Sequence, residues 1–104
     1  MQVTSTRTEK ALLEKTAGSL KAIAHPVRLA MIDLLKDGRR MNVTQIYNEL
    51  GLEQAVASQH LSILKDKNVF DSKRQGKHSF YFLKHPCVVE IIDVILSTYD
   101  IDQL

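Results

Sequence analysis

A chain of 104 residues, 44% of them hydrophobic, is one domain with a small core that a partner subunit would help to complete. Its net charge of +2 is too small to imply a polyanionic partner, and its one cysteine excludes an intrachain disulfide. No run is apolar enough to span a membrane and no signal-peptide pattern opens the chain, so the expected location is the cytoplasm.

No repeat, low-complexity segment or internal linker divides residues 1–104, so a single domain is expected throughout. Met1 to Arg7 are polar and expected to fray. A first helix is predicted from about Thr8 to Ala24. Leu13, Ala17, Leu20 and Ala24 form its apolar stripe, with Leu12 and Ile23 beside it. The alternation of Glu9, Lys10, Glu14 and Lys15 fits a solvated face. Gly18 weakens the middle by about 1 kcal/mol relative to Ala; it either marks a close helix contact or has no structural role.

His25-Pro26 predicts the next start, because proline at the first helical position gives up no needed N–H. Val27, Ala30, Met31, Leu34 and Leu35 make a broad buried face, and Asp37-Gly38 ends the helix. Arg39 and Arg40 follow in the loop, where they could touch phosphate, but a paired or solvated state is the preferred reading.

Two short helices fill 42–67. Val43, Ile46 and Leu50 share one face of the first; Asn42 caps it, with Gln45 as capping-box partner. Gly51 supplies the left-handed stop. The second begins near Gln54 and buries Ala57, Leu61 and Leu64, leaving Gln54, Ala55, Ser58 and Gln59 largely off that stripe. A helix-turn-helix whose second helix shows amides and hydroxyls outward can read base edges in a DNA major groove. A plain helical pair in an all-α protein has the same pattern, so the flanking segments decide.

Val69–Lys73 and His78–Leu83 read as two strands around Arg74-Gln75-Gly76-Lys77, with Tyr81 and Leu83 facing inward. Lys73, Arg74, Lys77 and His78 crowd the tip. Residues 65–84 hold six cations against two carboxylates, a net +4, whereas 85–104 hold four carboxylates and no Lys or Arg, a net −4. The first region suits phosphate and the second does not. A basic hairpin after a helix-turn-helix reads as a wing; the alternative is a solvated hairpin whose charges only block edge pairing.

His85-Pro86 repeats the earlier helix start. From Val88 the chain reads VVEIIDVILSTYDI. Val88, Ile91, Ile92, Ile95 and Tyr99 lie on one side, with Val89, Val94, Leu96 and Ile101 widening the apolar surface. A helix apolar nearly all round needs a second cover. The simplest is a second copy, so a two-fold dimer is expected, with Leu13 and Leu20 of the first helix contributing.

Three blocks resemble those of the ArsR/SmtB repressors: AHPVRLAMIDLL (24–35), ASQHLSILKDKNV (57–69) and RQGKHSFYFL (74–83). The order and spacing agree from about residue 12 to 96. The resemblance implies a mainly α fold with a small β-hairpin, a winged helix-turn-helix of four helices, the hairpin and a fifth helix. It implies a homodimer that binds an inverted-repeat operator in double-stranded DNA, and repression relieved by an inducer. Carried onto this chain, Gln54, Ala55, Ser58 and Gln59 take the base-facing positions. Thr44 and Gln45 stand at a helix start that favours phosphate. Arg74, Lys77 and His78 match the wing. His60 matches the family's histidine beside Leu61, reaching a phosphate or half-buried with a satisfied hydrogen bond.

Two departures stand out. Glu53 replaces the frequent serine cap, which suits the helix dipole but repels phosphate. Gln59 replaces a frequent arginine. The positions of a Cys-x-Cys metal site are Asn42 and Thr44, with Tyr47 nearby, so no thiolate site is expected there. His85 and Cys87, with Glu90 or Asp93, are weak metal candidates. The C-terminal partner positions near Thr98 and Ile101 hold no histidine, so no metal or other cofactor is predicted. Cys87 reads as a small buried core residue in preference to a redox switch. A small-molecule or redox inducer is left unspecified. The rival class is a winged-helix protein-interaction module, which would show no salt-dependent DNA binding. No nucleophile–base pair, phosphate loop or supported carboxylate pair suggests an enzyme.

Overall fold

The computed structural model describes residues 6–103; Met1 to Ser5 of the expected frayed segment lie outside them. Thr6 and Arg7 belong instead to the first helix, α1 (Arg7–Ile23), because the Thr6 Oγ1 accepts the Glu9 N–H at 3.2 Å and so caps it. α2 (Pro26–Leu34), β1 (Met41–Asn42), α3 (Val43–Leu50) and α4 (Gln54–Asp66) follow. The chain continues through β2 (Phe70–Gln75), β3 (His78–Leu83), α5 (Val88–Leu96) and a 3-10 turn at Ile101–Gln103. No helix among the described residues is long and apolar enough to cross a membrane.

The core gathers where α2, α3 and α4 meet the root of the hairpin. Met31, Leu35, Ile46, Leu61 and Leu64 have no exposed surface, and Phe70 has 1%. In α2 the inward residues are Met31 and Ile32, with Val27 and Leu34 packed beside them. The expected Ala30 is exposed and Ile32 takes its place. The helix packs on more than one side, and Ile32 also lines the cleft toward Val89 and Ile92 of α5. The reversal after α2 uses two left-handed residues, Asp37 at φ 63° and Gly38 at φ 75°.

α1 departs from its predicted stripe. Ala22 and Ile23 at its end are buried, while Leu12 and Leu20 are 53% and 46% exposed, Ala17 and Ala24 are exposed and Leu13 is half-buried. The stripe therefore points away from the chain's own core. Gly18 has no steric demand behind it: an added Cβ would meet the Lys67 Cδ at an ordinary 3.9 Å.

The sheet is antiparallel with strand order β1-β3-β2. β2 and β3 pair from Phe70↔Leu83 out to Gln75↔His78. β2 thus runs two residues past its expected end at Lys73 while β3 keeps its expected bounds, and the turn is only Gly76-Lys77, with Gly76 at φ 61°. Leu83 is buried and Tyr81 packs half-buried on the core, so this face is the inward one as read from the sequence. β1, absent from that reading, pairs Met41 with Tyr81 and Asn42 with Phe80.

α5 starts at Val88, beyond the His85-Pro86 start expected for it, and ends sooner than its apolar run suggested. His85-Pro86 forms a turn, closed by Val88 N–H donating to His85 O (3.0 Å) and Val89 N–H to Pro86 O (3.1 Å), and Cys87 stands at the cap position. At the other end Ser97 Oγ and Thr98 Oγ1 donate to the carbonyls of Val94 and Ile95, both at 2.6 Å. Such local bonds compete with the next helical turn. Tyr99 and Ile101 therefore lie beyond the α-helix. Cys87 is exposed, contrary to the core role expected of it, because the turn holds it outside the packed helix. No residue of α5 is buried.

Candidate nucleic-acid interface

The α3–α4 unit is built by local bonds. Asn42 Oδ1 accepts from Gln45 N–H (2.8 Å) and Gln45 Oε1 accepts from Asn42 N–H (2.9 Å), a complete capping box. Both the amide side chain and the backbone N–H of Gln45 are thus engaged, whereas Thr44 stays exposed at the helix start. Gly51, at φ 65° and ψ 33°, ends α3 in the left-handed region. Leu52 N–H then donates to Tyr47 O at 2.9 Å and closes the turn. Glu53 caps α4 without a side-chain hydrogen bond, leaving its carboxylate exposed.

α4 is divided lengthwise. Ala57, Leu61 and Leu64 are fully buried, and the helix packs against α1, α2, α3 and β2. Gln54, Ala55, Ser58 and Gln59 are exposed on the other side. That surface offers two primary amides, a hydroxyl and a methyl group, and no charge. Amides and hydroxyls match the donor–acceptor pairs of base edges, and a methyl matches that of thymine.

The hairpin adds the charge. Lys73, Arg74, Lys77 and His78 are all exposed toward its tip. The ion pairs among the described residues are Lys36–Asp33 (3.0 Å) and Lys67–Asp66 (3.9 Å), so none of the tip cations is neutralised by one. The His78 ring meets Phe80 edge-on, with centroids 6.4 Å apart. Lys65 Nζ donates to Ser72 Oγ at 2.8 Å and ties the end of α4 to the wing. That link, and Arg40 lying over the Phe82 ring at 4.6 Å, escaped the sequence reading because both join residues with no shared periodicity.

His60 stands apart from the outward set. It is half-buried, and its Nδ1 lies 3.3 Å from Arg28 Nη1 of α2. His85 and Cys87 are exposed. Among the described residues no three His, Cys, Asp or Glu side chains gather as a metal site, so these two are not joined by Glu90 or Asp93. Of the expected dimer residues, Val88 and Ile92 pack against the chain's own core. Ile91, Ile95 and Tyr99 stay 46%, 54% and 65% exposed.

A helix-turn-helix followed by a short basic hairpin, with a small antiparallel sheet behind it, is the winged helix-turn-helix architecture. The model of the bacterial regulatory proteins of the arsR family matches residues 25–69. The chain is 40% identical over 83 residues to the transcriptional repressor PagR of Bacillus anthracis, covering 80% of this chain and 83% of the relative. It is 30% identical to the HTH-type transcriptional regulator YgaV of Escherichia coli K12, over 86% and 91% of the two chains. The crystal structure of NolR from Sinorhizobium fredii superposes with a TM-score of 0.77 at 31% identity, covering 95% of this chain and 97% of that one. The solution structure of Mb0332 from Mycobacterium bovis, described as a homodimeric winged helix-turn-helix DNA-binding domain, gives 0.79 at 26% identity over 93% and 89%. The chain belongs to the ArsR family of transcriptional regulators.

Proposed function

We propose that this protein is a cytoplasmic, homodimeric transcriptional repressor that binds an inverted-repeat operator. The observation that carries the reading is the uncharged hydrogen-bonding face of α4, set opposite a fully buried stripe and beside a wing whose cations have no ion-pair partners among the described residues. In the dimer, one α4 enters each of two successive major grooves, roughly 34 Å apart. Gln54, Ala55, Ser58 and Gln59 read bases. Thr44, the start of α3, Arg74, Lys77 and His78 meet the backbone. Leu13 and Leu20 of α1 join Ile91, Ile95 and Tyr99 in the two-fold contact. The repressor name of PagR and the homodimeric state of Mb0332 support this reading.

The division of roles is tested by two substitutions. Lys77→Ala should weaken every duplex alike and reduce the salt dependence by about one ion. Gln59→Ala should change sequence preference, with about 1–3 kcal/mol of discrimination lost at one base pair. Binding isotherms at several salt concentrations on matched and mismatched duplexes separate the two, and identical profiles would refute the assignment.

A further inference from the structure

Behind the recognition surface lies a polar cluster that the sequence reading did not assemble. His25 caps α2, with its Nδ1 accepting the Val27 N–H at 3.1 Å. The His60 ring of α4 lies against it, centroids 4.6 Å apart and planes tilted by 49°. Arg28 joins three elements: its Nε donates to the Ala22 carbonyl at the end of α1, and its Nη1 lies within hydrogen-bond reach of His60 Nδ1, at 3.3 Å. A guanidinium is a donor only and stays charged, so this bond exists only while His60 Nδ1 carries no proton. The contact therefore requires the neutral imidazole.

We infer that Arg28 and His60 are a positioning pair that sets the rotation of α4 about its axis, so that sequence discrimination on DNA weakens as pH falls through the histidine range. The inference rests on the DNA-binding reading above. His60 follows Gln59 directly and precedes the buried Leu61, so a bond at its ring fixes the angle at which Gln59, Ser58 and Gln54 are presented. Protonation would set a donor against a donor and a cation against a cation, with His25 alongside.

The surroundings agree in sign. Burial, then His25 and Arg28, hold the His60 imidazolium below the ordinary histidine range. Of the charged groups on the elements packed against α4, Arg28 of α2 and the neighbouring His25 are the ones that act on this ring. From α1, Lys21 and Glu14 line the neighbouring cleft with Arg28 and Lys67. A histidine held below its unfolded value leaves the unfolded chain binding more protons. Its stabilising effect is complete above the ordinary value of about 6.5 and is lost as pH falls below it. A charged His60 also attracts phosphate nonspecifically, so the ratio of operator to scrambled-duplex affinity is the sensitive quantity.

The test measures that ratio from about pH 7.5 to below the His60 midpoint found by NMR, at fixed ionic strength, with circular dichroism confirming the fold at each point. The wild-type ratio should fall by about tenfold, the size of one lost hydrogen bond. His60→Asn offers an Oδ1 acceptor in place of Nδ1 and does not titrate. Whatever its ratio at neutral pH, it should show no acid fall. In the DNA-free protein, Arg28→Met should raise the His60 titration midpoint followed by the NMR shift of its Cε1 proton. A flat wild-type ratio, an unchanged acid fall in His60→Asn, or an unmoved midpoint would overturn the pairing. Absence of specific binding at every pH would instead overturn the DNA-binding reading, and the NMR midpoint would still decide the pair.

Discussion

Ile95→Glu should leave the chain folded and convert a dimer into a monomer. In the single chain Ile95 is 54% exposed, and Ile91, one turn earlier, is 46% exposed. Val94, Leu96 and Tyr99 are each more than 60% exposed, and on α1 Leu12 and Leu20 are about half uncovered. A small domain with this much uncovered apolar surface has a partner surface to meet it. A carboxylate at Ile95 costs the isolated chain little, because the site is open to water. In a two-fold contact it appears twice, and burying unpaired charge costs far more than a lost methyl. Sedimentation of the variant should report one chain of 11.8 kDa. Operator affinity should fall by about 10²–10⁴-fold, as expected when two linked half-sites become separate binding events. A variant that remains dimeric, with Ile91→Glu remaining dimeric as well, would rule out α5 as the interface.

Leu61→Ala should produce a large loss of folding stability. The side chain has no exposed surface and belongs to the buried core against which α4 packs. Truncating such a leucine costs about 2–5 kcal/mol, through lost burial and the cavity left behind. Small domains have only about 5–15 kcal/mol in total. The urea midpoint should therefore fall substantially, compared at equal protein concentration because dimerisation contributes to stability. Gln59→Ala, two residues away on the exposed face, should change stability by no more than about 0.5 kcal/mol. A loss below about 1 kcal/mol for Leu61→Ala would mean that α4 is not anchored through its apolar stripe.

Features governed by neighbours in the sequence were legible in advance. Asn42, Gln45 and Gly51 define α3 through bonds spanning three residues or fewer and one left-handed backbone, and the structure contains each of them. The Ala57, Leu61 and Leu64 stripe was legible for the same reason, since helical period alone places it. β1 was not, because a two-residue strand has no period; it exists only where the β3 edge accepts Met41 and Asn42. The end of α5 was hidden inside an apolar run that continues to Ile101, while two hydroxyls, Ser97 and Thr98, turn back on the helix. Cys87 was misplaced because residue type favours burial but the His85-Pro86 turn does not allow it. At the candidate interface the outward set on α4 was readable, since whatever lies off a buried stripe faces out. The half-buried His60 is one of the two settings the sequence allows, but its partner is not legible there, because Arg28 lies 32 residues away.

Whether this chain reads DNA sequence as a two-fold dimer is decided by selecting bound duplexes from a random pool at two salt concentrations. An enriched inverted repeat is expected, with half-site centres about one helical turn apart and affinity falling as salt rises. Absence of any enriched sequence, and of binding even at low salt, would contradict it and leave the winged helix as a surface for another protein.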